Sequence, residues 1–450
     1  MINKIKNKYL YILKDKHLNE LFRWSFIAFF MKIFWIWLWL ISSILISHYY
    51  WAKWMWTLSL TTQFIWILTM IWSLGLTISI LRYIWEYKSE NNFYKIKVLY
   101  KKLLEIVIPF SLIIIIIIYF FIDSIAIWFL KKEEMILPLK TSIFFVPLFI
   151  LYWINIEFIR WLKKIKVYEF IRNIAKPFFN ILLIILLTFI YTNELIPIYA
   201  LLIVIIIIFL ISSIYLFNKL NTLKKDYKKV ENISKKKIIW ISLPMMVTAF
   251  SFLIMWTIDS FMIWRFTDLS SVWIYSVALS IATLVTLILV SINTIVAPQF
   301  SELYWKKDIK NLKKVVYYSS KLIFITTIPL LIILITYSKF FMWLYGSEFI
   351  SWYTVLSILV IWQFISATCW SVWYFLNMTW KQKVFRNVIL IALILNIILN
   401  YLLIPTYWIL WAAIATSISI SFWNIVSAIY IKIKFNILTF YIPFYNKIWK

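Results

Sequence analysis

The sequence predicts an all-α membrane protein that crosses the bilayer twelve times, in two halves of six helices. Three observations predict it. Of 450 residues, 64% are hydrophobic and 14% are charged, against about 45–50% and about 25% in an average soluble domain. Apolar stretches of about 18 residues or more recur along the whole length, and only lipid hides so much apolar surface. The 46 Lys and Arg gather in alternate loops. Lys53, Lys131, Lys132, Lys140, Arg265 and Lys339 fall in the opposite loops, and Lys32, Arg82 and Lys321 inside spans. This bias places both termini in the cytoplasm. A soluble enzyme, a disordered tail and a secreted disulfide scaffold are excluded.

Span one, 21–47, is long enough to cross, and the N-terminus lacks the small-residue cleavage pattern of a secretion signal. Span two, 57–86, follows the turn HYYWAKWMW. Span three is 102–123, and Lys131 to Pro138 separates it from span four, 138–160. Span five, 168–191, and span six, 195–218, are parted by Asn193 to Pro197; charge and Pro clusters of this kind end helices. The segment 219–237 follows, and in it Leu220, Leu223, Tyr227, Val230 and Ile233 step by three or four. That spacing fits an amphipathic helix on an anionic inner leaflet; the alternative is a solvated linker. Spans seven to twelve are 238–264, 271–299, 314–337, 349–377, 384–404 and 408–431, with the last break at Ile404 to Thr406. The expected organisation is a bundle over 1–218, a linker over 219–237 and a second bundle over 238–450. WTLSL at 56–60 matches WIYSV at 273–277, each about 30 residues before Glu86 or Glu302. Parallel six-helix repeats are a transporter signature.

Tryptophan and glycine counts are anomalous. The chain has 28 Trp and 2 Gly, where about 7% Gly is usual. Trp51, Trp54 and Trp56 crowd one external turn, and Trp380 and Trp408 begin or end helices, glycine's usual place. Trp35 and Trp39 share a helix face with Lys32 and Ser43, where close packing in lipid favours small residues. The expectation is that most of these tryptophans are glycine codons, UGA read with the wrong table. Strained backbone is then expected near Trp35, Trp39, Trp51, Trp54, Trp408 and Trp411.

Catalysis finds no support. The two histidines, His17 and His48, lie in a tail and at an outer span end, and no paired carboxylates mark a metal-dependent transferase. No cofactor and no metal site is expected, and the lone Cys369 excludes disulfides and cysteine-based metal sites. A net charge of +28 could suggest nucleic acid, but the basic residues punctuate apolar segments instead of forming one face.

FLNMTWKQK at 375–383 and LNIILNYLLIPTYWILWAAIATSIS at 395–419 resemble the polysaccharide-flippase signature. LPMM around Pro244, TIDSFMIW around Asp259, APQFSELY at 297–304 and, in the first half, FRWSF and IRNIAKPFFN add to the likeness. The chain is thereby similar to the Wzx-like branch of the multidrug/oligosaccharidyl-lipid/polysaccharide exporter superfamily. That family usually carries glycine where this chain has Trp380, Trp408 and Trp411.

The resemblance implies the exporter (MATE-like) fold and alternating access. Its cargo would be a polyprenyl-pyrophosphate-linked oligosaccharide, moved to the outer leaflet of the bacterial cytoplasmic membrane. Polysaccharide polymerase, glycosyltransferases and anionic lipids are the implied partners. The alternative is a cation-coupled small-molecule exporter of the same superfamily. Spans one and seven should line a central cleft, with spans two and eight beside them.

Charges inside the spans are the candidate site. Lys32 lies nine residues beyond Arg23, about 13 Å along span one; Arg82 is near the inner end of span two, and Lys321 about two turns into span nine. A cation at a helix centre costs about 2.5–3.5 kcal/mol. Lys32, Arg82, Arg23 and Lys321 either capture a pyrophosphate from the cytoplasmic side or snorkel to lipid phosphates. Asp259, an acid well inside span seven, either pairs with a cation or takes a proton or Na⁺ during transport. Six residues put Arg265 about 240° away around the helix, so its partner is expected on another helix. Glu157 and Arg160, three apart, are expected to pair.

Overall fold

The computed structural model describes residues 16–89, 93–129, 132–162, 164–190, 193, 195–222, 234–267, 269–369 and 371–441. The side chains of residues 16, 17, 40, 43, 44, 47–56, 59, 89, 93, 129, 269, 270 and 407 are not among those described. The expected amphipathic segment therefore lies largely outside the described residues, as do the indoles of Trp51, Trp54 and Trp56.

The described chain is all-α. Ten helices are long and apolar enough to cross a membrane, and up to twelve if each bent pair is one crossing. The one-to-one match with the predicted spans is close. The helices are Leu18–Trp39, Tyr94–Trp128, Ile165–Ile190, Ile196–Asn221, Lys235–Phe266, Leu284–Trp305, Ile309–Thr336, Ser347–Met378, Gln382–Thr406 and Trp408–Phe435. Span two is Leu60–Trp72 plus Leu76–Lys88, bent by 45°, and span four is Glu133–Ile143 plus Val146–Trp161, bent by 51°. The stretch expected as span eight, 271–299, is divided: a short apolar helix, Ser271–Ala282, comes before the membrane-length helix Leu284–Trp305.

Helical hydrogen bonding is assigned without interruption from Lys16 to Trp72, yet the chain turns back on the way. Trp35 and Trp66 line one cavity, whereas a straight helix would hold them about 46 Å apart. Spans one and two thus abut as a helical hairpin.

The chain forms two compact units. The N-terminal unit is Phe30–Met246, and the C-terminal unit is Val247–Lys450 together with Met1–Phe29. Their borders fall inside spans one and seven, whereas the sequence placed the division at the linker.

Polar side chains tie helices together within each unit, as expected where lipid supplies no hydrophobic drive between helices. In the N-terminal unit, Tyr100 of span three donates to Asn155 Oδ1 at 2.8 Å. Asn155 of span four donates in turn to Ser212 and Ser213 of span six at 3.2 and 2.9 Å. In the C-terminal unit, Asn424 of span twelve donates to Ser366 of span ten at 3.0 Å, and Ala412, Ala413, Ala415, Ser417 and Ser419 are fully buried.

Gly75 makes the bend in span two. Its φ is +70°, and a Cβ there would stand 2.4 Å from Ser242 O and 2.6 Å from Met246 N. Only a residue without a side chain allows both the left-handed turn and this approach of span two to span seven.

Trp380 and Trp408 adopt the same left-handed region, with φ of 66° and 60°. For a bulky L-residue this is a genuine outlier. The buried indole N–H groups of Trp153, Trp161, Trp305, Trp373 and Trp423 meet no acceptor among the described residues, although buried indoles usually find one. Trp35 and Trp39 differ from the strained positions: they are 39% and 53% exposed and stand in a cavity wall.

Candidate functional site

The N-terminal unit has a charged interior built on span five. In YEFIRNIAKPFFN at 168–180, Glu169, Asn173, Lys176 and Asn180 step by three or four, with Arg172 beside Asn173, which keeps them near one face of a helix. Residues Phe170–Ala175 form a π-helical turn, a local widening frequent at functional sites. Lys32 of span one reaches across to this face. Its Nζ lies 3.1 Å from Glu169 Oε1, and the two side chains are 6% and 0% exposed. Asn173 donates to the other oxygen of Glu169.

More cations than acids surround this pair. Arg160 bonds Glu157 at 3.3 Å and lies over the Tyr168 ring at 5.6 Å. Arg172 donates to the Tyr168 hydroxyl and lies over the Trp153 ring at 5.4 Å. Both guanidinium groups repel the Lys32 ammonium. Lys176 has no carboxylate within ion-pair distance among the described residues; its Nζ rests 5.2 Å from the Phe149 ring centroid. Aromatic faces hold cations in this way with about 0.5–2 kcal/mol each. Four cations thus stand against two carboxylates.

A cavity of about 260 Å³ shares Lys176 with this cluster and is lined by Trp35, Trp39, Ser42, Thr62, Trp66 and Asn180 among others. Asn180 donates to Ser42 at 3.4 Å and leaves its own Oδ1 without a partner among the described residues. The space can hold a polar group contacting an ammonium, amide and hydroxyl groups and aromatic faces together.

The four predicted cations divide between the units. Lys32 belongs to the N-terminal unit, where its ammonium is ion-paired with Glu169. Arg82 belongs to the same unit and is fully enclosed. Arg23 belongs to the C-terminal unit, is exposed, and stacks on Trp24 at 5.2 Å. Lys321, also in that unit, lies 5.4 Å from the Tyr441 ring and 6.0 Å from that of Tyr317. The expected Glu157–Arg160 pair is present.

Asp259 is the centre of a second cluster, inside the C-terminal unit. It is 1% exposed. Its Oδ2 accepts from Tyr275 of the short helix before span eight at 2.8 Å and from Thr416 of span twelve at 2.5 Å. Its Oδ1 accepts from Asn400 at 2.6 Å and Asn396 at 3.4 Å, one turn apart on span eleven. The partners lie on other helices, as the spacing required, but all are neutral. Arg265 is not among them. The Oδ1 atoms of Asn396 and Asn400 are buried without partners among the described residues. A neighbouring cavity of about 160 Å³ is lined by Asp259, Thr416, Gln363 and Ser366 together with Phe252, Trp256 and Trp423. A buried carboxylate with no cationic partner is stable when protonated or when a cation joins it.

Sequence reading missed Glu169, Arg172 and Lys176. The two cations were counted with the basic residues of the preceding loop, although they lie within span five. The three-to-four spacing of YEFIRNIAKPFFN was the signal that could have found them.

Helices of this number and length, with ionisable groups enclosed in each unit, define a polytopic transporter fold. Solved structures of that fold superpose on nearly the whole chain. A MOP superfamily transporter from Pyrococcus furiosus, reported with a binding pocket of reverse polarity, matches with a TM-score of 0.79 at 14% identity, covering 94% of this chain and 97% of that one. An outward-facing multidrug resistance MATE family transporter matches at 0.75 and 14% identity, over 94% and 97% of the two chains. A Vibrio cholerae MATE transporter matches at 0.78 and 13% identity, over 91% and 94%. No curated protein matches the sequence. The model of the family described as polysaccharide biosynthesis protein matches residues 57–304, and the MatE model matches residues 244–402. The chain belongs to the polysaccharide biosynthesis protein family and has the fold of MOP superfamily transporters.

Proposed function

We propose that the chain flips a polyprenyl-pyrophosphate-linked oligosaccharide from the inner to the outer leaflet of a bacterial cytoplasmic membrane, for cell-surface polysaccharide assembly. The surplus of cations inside the N-terminal unit carries this reading. Lys32, Arg160, Arg172 and Lys176 outnumber Glu157 and Glu169, and so many cations, two buried and two half-buried, favour an anionic guest. Alternating access moves the head group while the polyprenyl tail stays in lipid. Both termini lie in the cytoplasm, and polymerase and glycosyltransferases act beside the carrier. The test is flipping of a lipid-linked oligosaccharide in reconstituted vesicles; no flipping by a folded, inserted chain sinks the reading.

Asp259 supplies the coupling in this scheme. Its neutral hydrogen-bond shell and the unpartnered amide oxygens suit a proton or Na⁺. A second reading, a cation-coupled exporter of small molecules, is favoured by the MatE match over 244–402. Vesicles loaded with a lipophilic cationic dye separate the two: gradient-driven dye transport without glycan flipping selects the exporter.

The same reading takes most tryptophans as glycine codons. Left-handed backbone at Trp380 and Trp408 and the orphaned indole N–H groups support it. Fragment masses of the protein from its native host decide the matter: tryptophan at residues 380 and 408 would refute it.

A further inference from the structure

We infer that Glu169 is a built-in counter-anion. It neutralises Lys32 in the empty carrier and gives up its place to the anionic head group of the cargo. The inference rests on the proposed anionic cargo and assigns a role to a residue that the cargo reading alone does not include.

The argument starts from cost. An ammonium enclosed in the bilayer is expensive unless it is paired. Lys32 is 5% exposed and would carry that cost in every empty carrier. Glu169 removes it at 3.1 Å. A carboxylate in that position also competes with any phosphate for the same Nζ, because both are oxygen anions seeking the same donors.

Displacement is possible because Glu169 has somewhere to go. Asn173 already holds its second oxygen, and Arg172 is three residues further along the same helix. When a head group takes Lys32, the carboxylate can keep its Asn173 bond and lean on the Arg172 guanidinium. No charge is stranded, because the carboxylate keeps its Asn173 bond and stays beside the Arg172 guanidinium. The arriving anion also finds Lys176, whose ammonium has only an aromatic partner among the described residues, in the wall of the cavity. Trp35, Trp39 and Ser42 follow Lys32 at three, seven and ten residues, so the cavity continues the helix face that carries Lys32. A neutral cargo displaces nothing and leaves the pair closed. Glu169 therefore sets selectivity for anions and gives the empty carrier a neutral interior in which to return.

The test uses the full chain in detergent and a fluorescent short-chain polyprenyl diphosphate, with the matching uncharged polyprenol as control. Glu169→Gln keeps an acceptor for Asn173 and removes the competing charge. It should bind the diphosphate about tenfold tighter than the unaltered chain, a difference of about 1.4 kcal/mol, and bind the polyprenol unchanged. Diphosphate binding that is unchanged or weaker in a monodisperse Glu169→Gln protein overturns the inference. The unaltered chain gives a second reading that does not depend on a variant folding. A hydrophobic carbodiimide should label Glu169 faster when the diphosphate saturates the carrier, because Lys32 no longer covers the carboxyl. Labelling that diphosphate leaves unaltered or slows also overturns it. If the unaltered chain binds diphosphate no better than polyprenol, the anionic-cargo reading itself fails, and the two failures are told apart.

Discussion

Lys32→Met should be among the most damaging single substitutions in the N-terminal unit, and the structure says why. The side chain is 6% exposed and its partner Glu169 is fully buried, with 3.1 Å between them. An exposed pair is worth about 0–1 kcal/mol. Removing one member of an enclosed pair costs about 3–5 kcal/mol, because the other charge stays behind without compensation. Asn173 offers the stranded carboxylate one hydrogen bond, which softens the loss without cancelling it. Replacing both partners is different: Lys32→Met with Glu169→Gln leaves no buried charge and keeps the acceptor for Asn173, so most of the stability should return. The assay is thermal melting of the purified chain in detergent, followed by loss of the monodisperse peak. The single variant should melt well below the unaltered protein and the double variant close to it. A Lys32→Met protein that melts with the unaltered chain would show the pair to be hydrated and the reasoning wrong.

Three further outcomes follow from other sites. Asp259→Asn retains acceptors for Tyr275 and Thr416 but removes the charge, so the chain should insert and remain folded while transport loses its dependence on a Na⁺ or proton gradient; full gradient dependence in that variant rules Asp259 out as the coupling group. Gly75→Ala puts a Cβ against Ser242 O and Met246 N at 2.4 and 2.6 Å with φ at +70°, and overpacking with left-handed strain should cost about 2–4 kcal/mol, visible as a lower melting point; an unchanged one refutes the close approach. Trp380→Gly and Trp408→Gly, introduced into a chain made with tryptophan, should each stabilise by about 1–2 kcal/mol by relieving left-handed strain, and a fall in melting temperature for both would contradict the backbone assignment.

Much of the fold was legible because the bilayer imposes one length on every span. Long apolar runs broken at Lys131–Pro138 and Asn193–Pro197 mark helices whatever their tertiary partners. The Glu157–Arg160 pair was legible for a similar reason: it is local, and helical spacing alone brings the two together. The 45° bend at Gly75 was not, since a single glycine in an apolar run shows neither its φ nor the neighbouring backbone it admits. Nor was the Lys32 partner, because Glu169 is 137 residues away and sequence offers no measure of such distances. The Asp259 shell shows both sides of this limit. Helical spacing pointed to a partner on another helix, yet only the folded chain brings Tyr275, Asn396, Asn400 and Thr416 to one carboxylate.

The π turn at Phe170–Ala175 has a consequence for how such a carrier changes over generations. A π turn holds one residue more than an α turn, and one residue corresponds to about 100° of rotation. Deleting a single codon there would restore a regular α-helix. Glu169 and the Lys176–Asn180 end of the helix would keep their relative orientation, because the wider turn absorbs its extra residue in about the rotation of an α turn, and only the residues inside the turn would be redirected. A lineage can thus redirect Arg172 and Asn173, which lie inside the turn, by one small deletion while the charges flanking it stay in place.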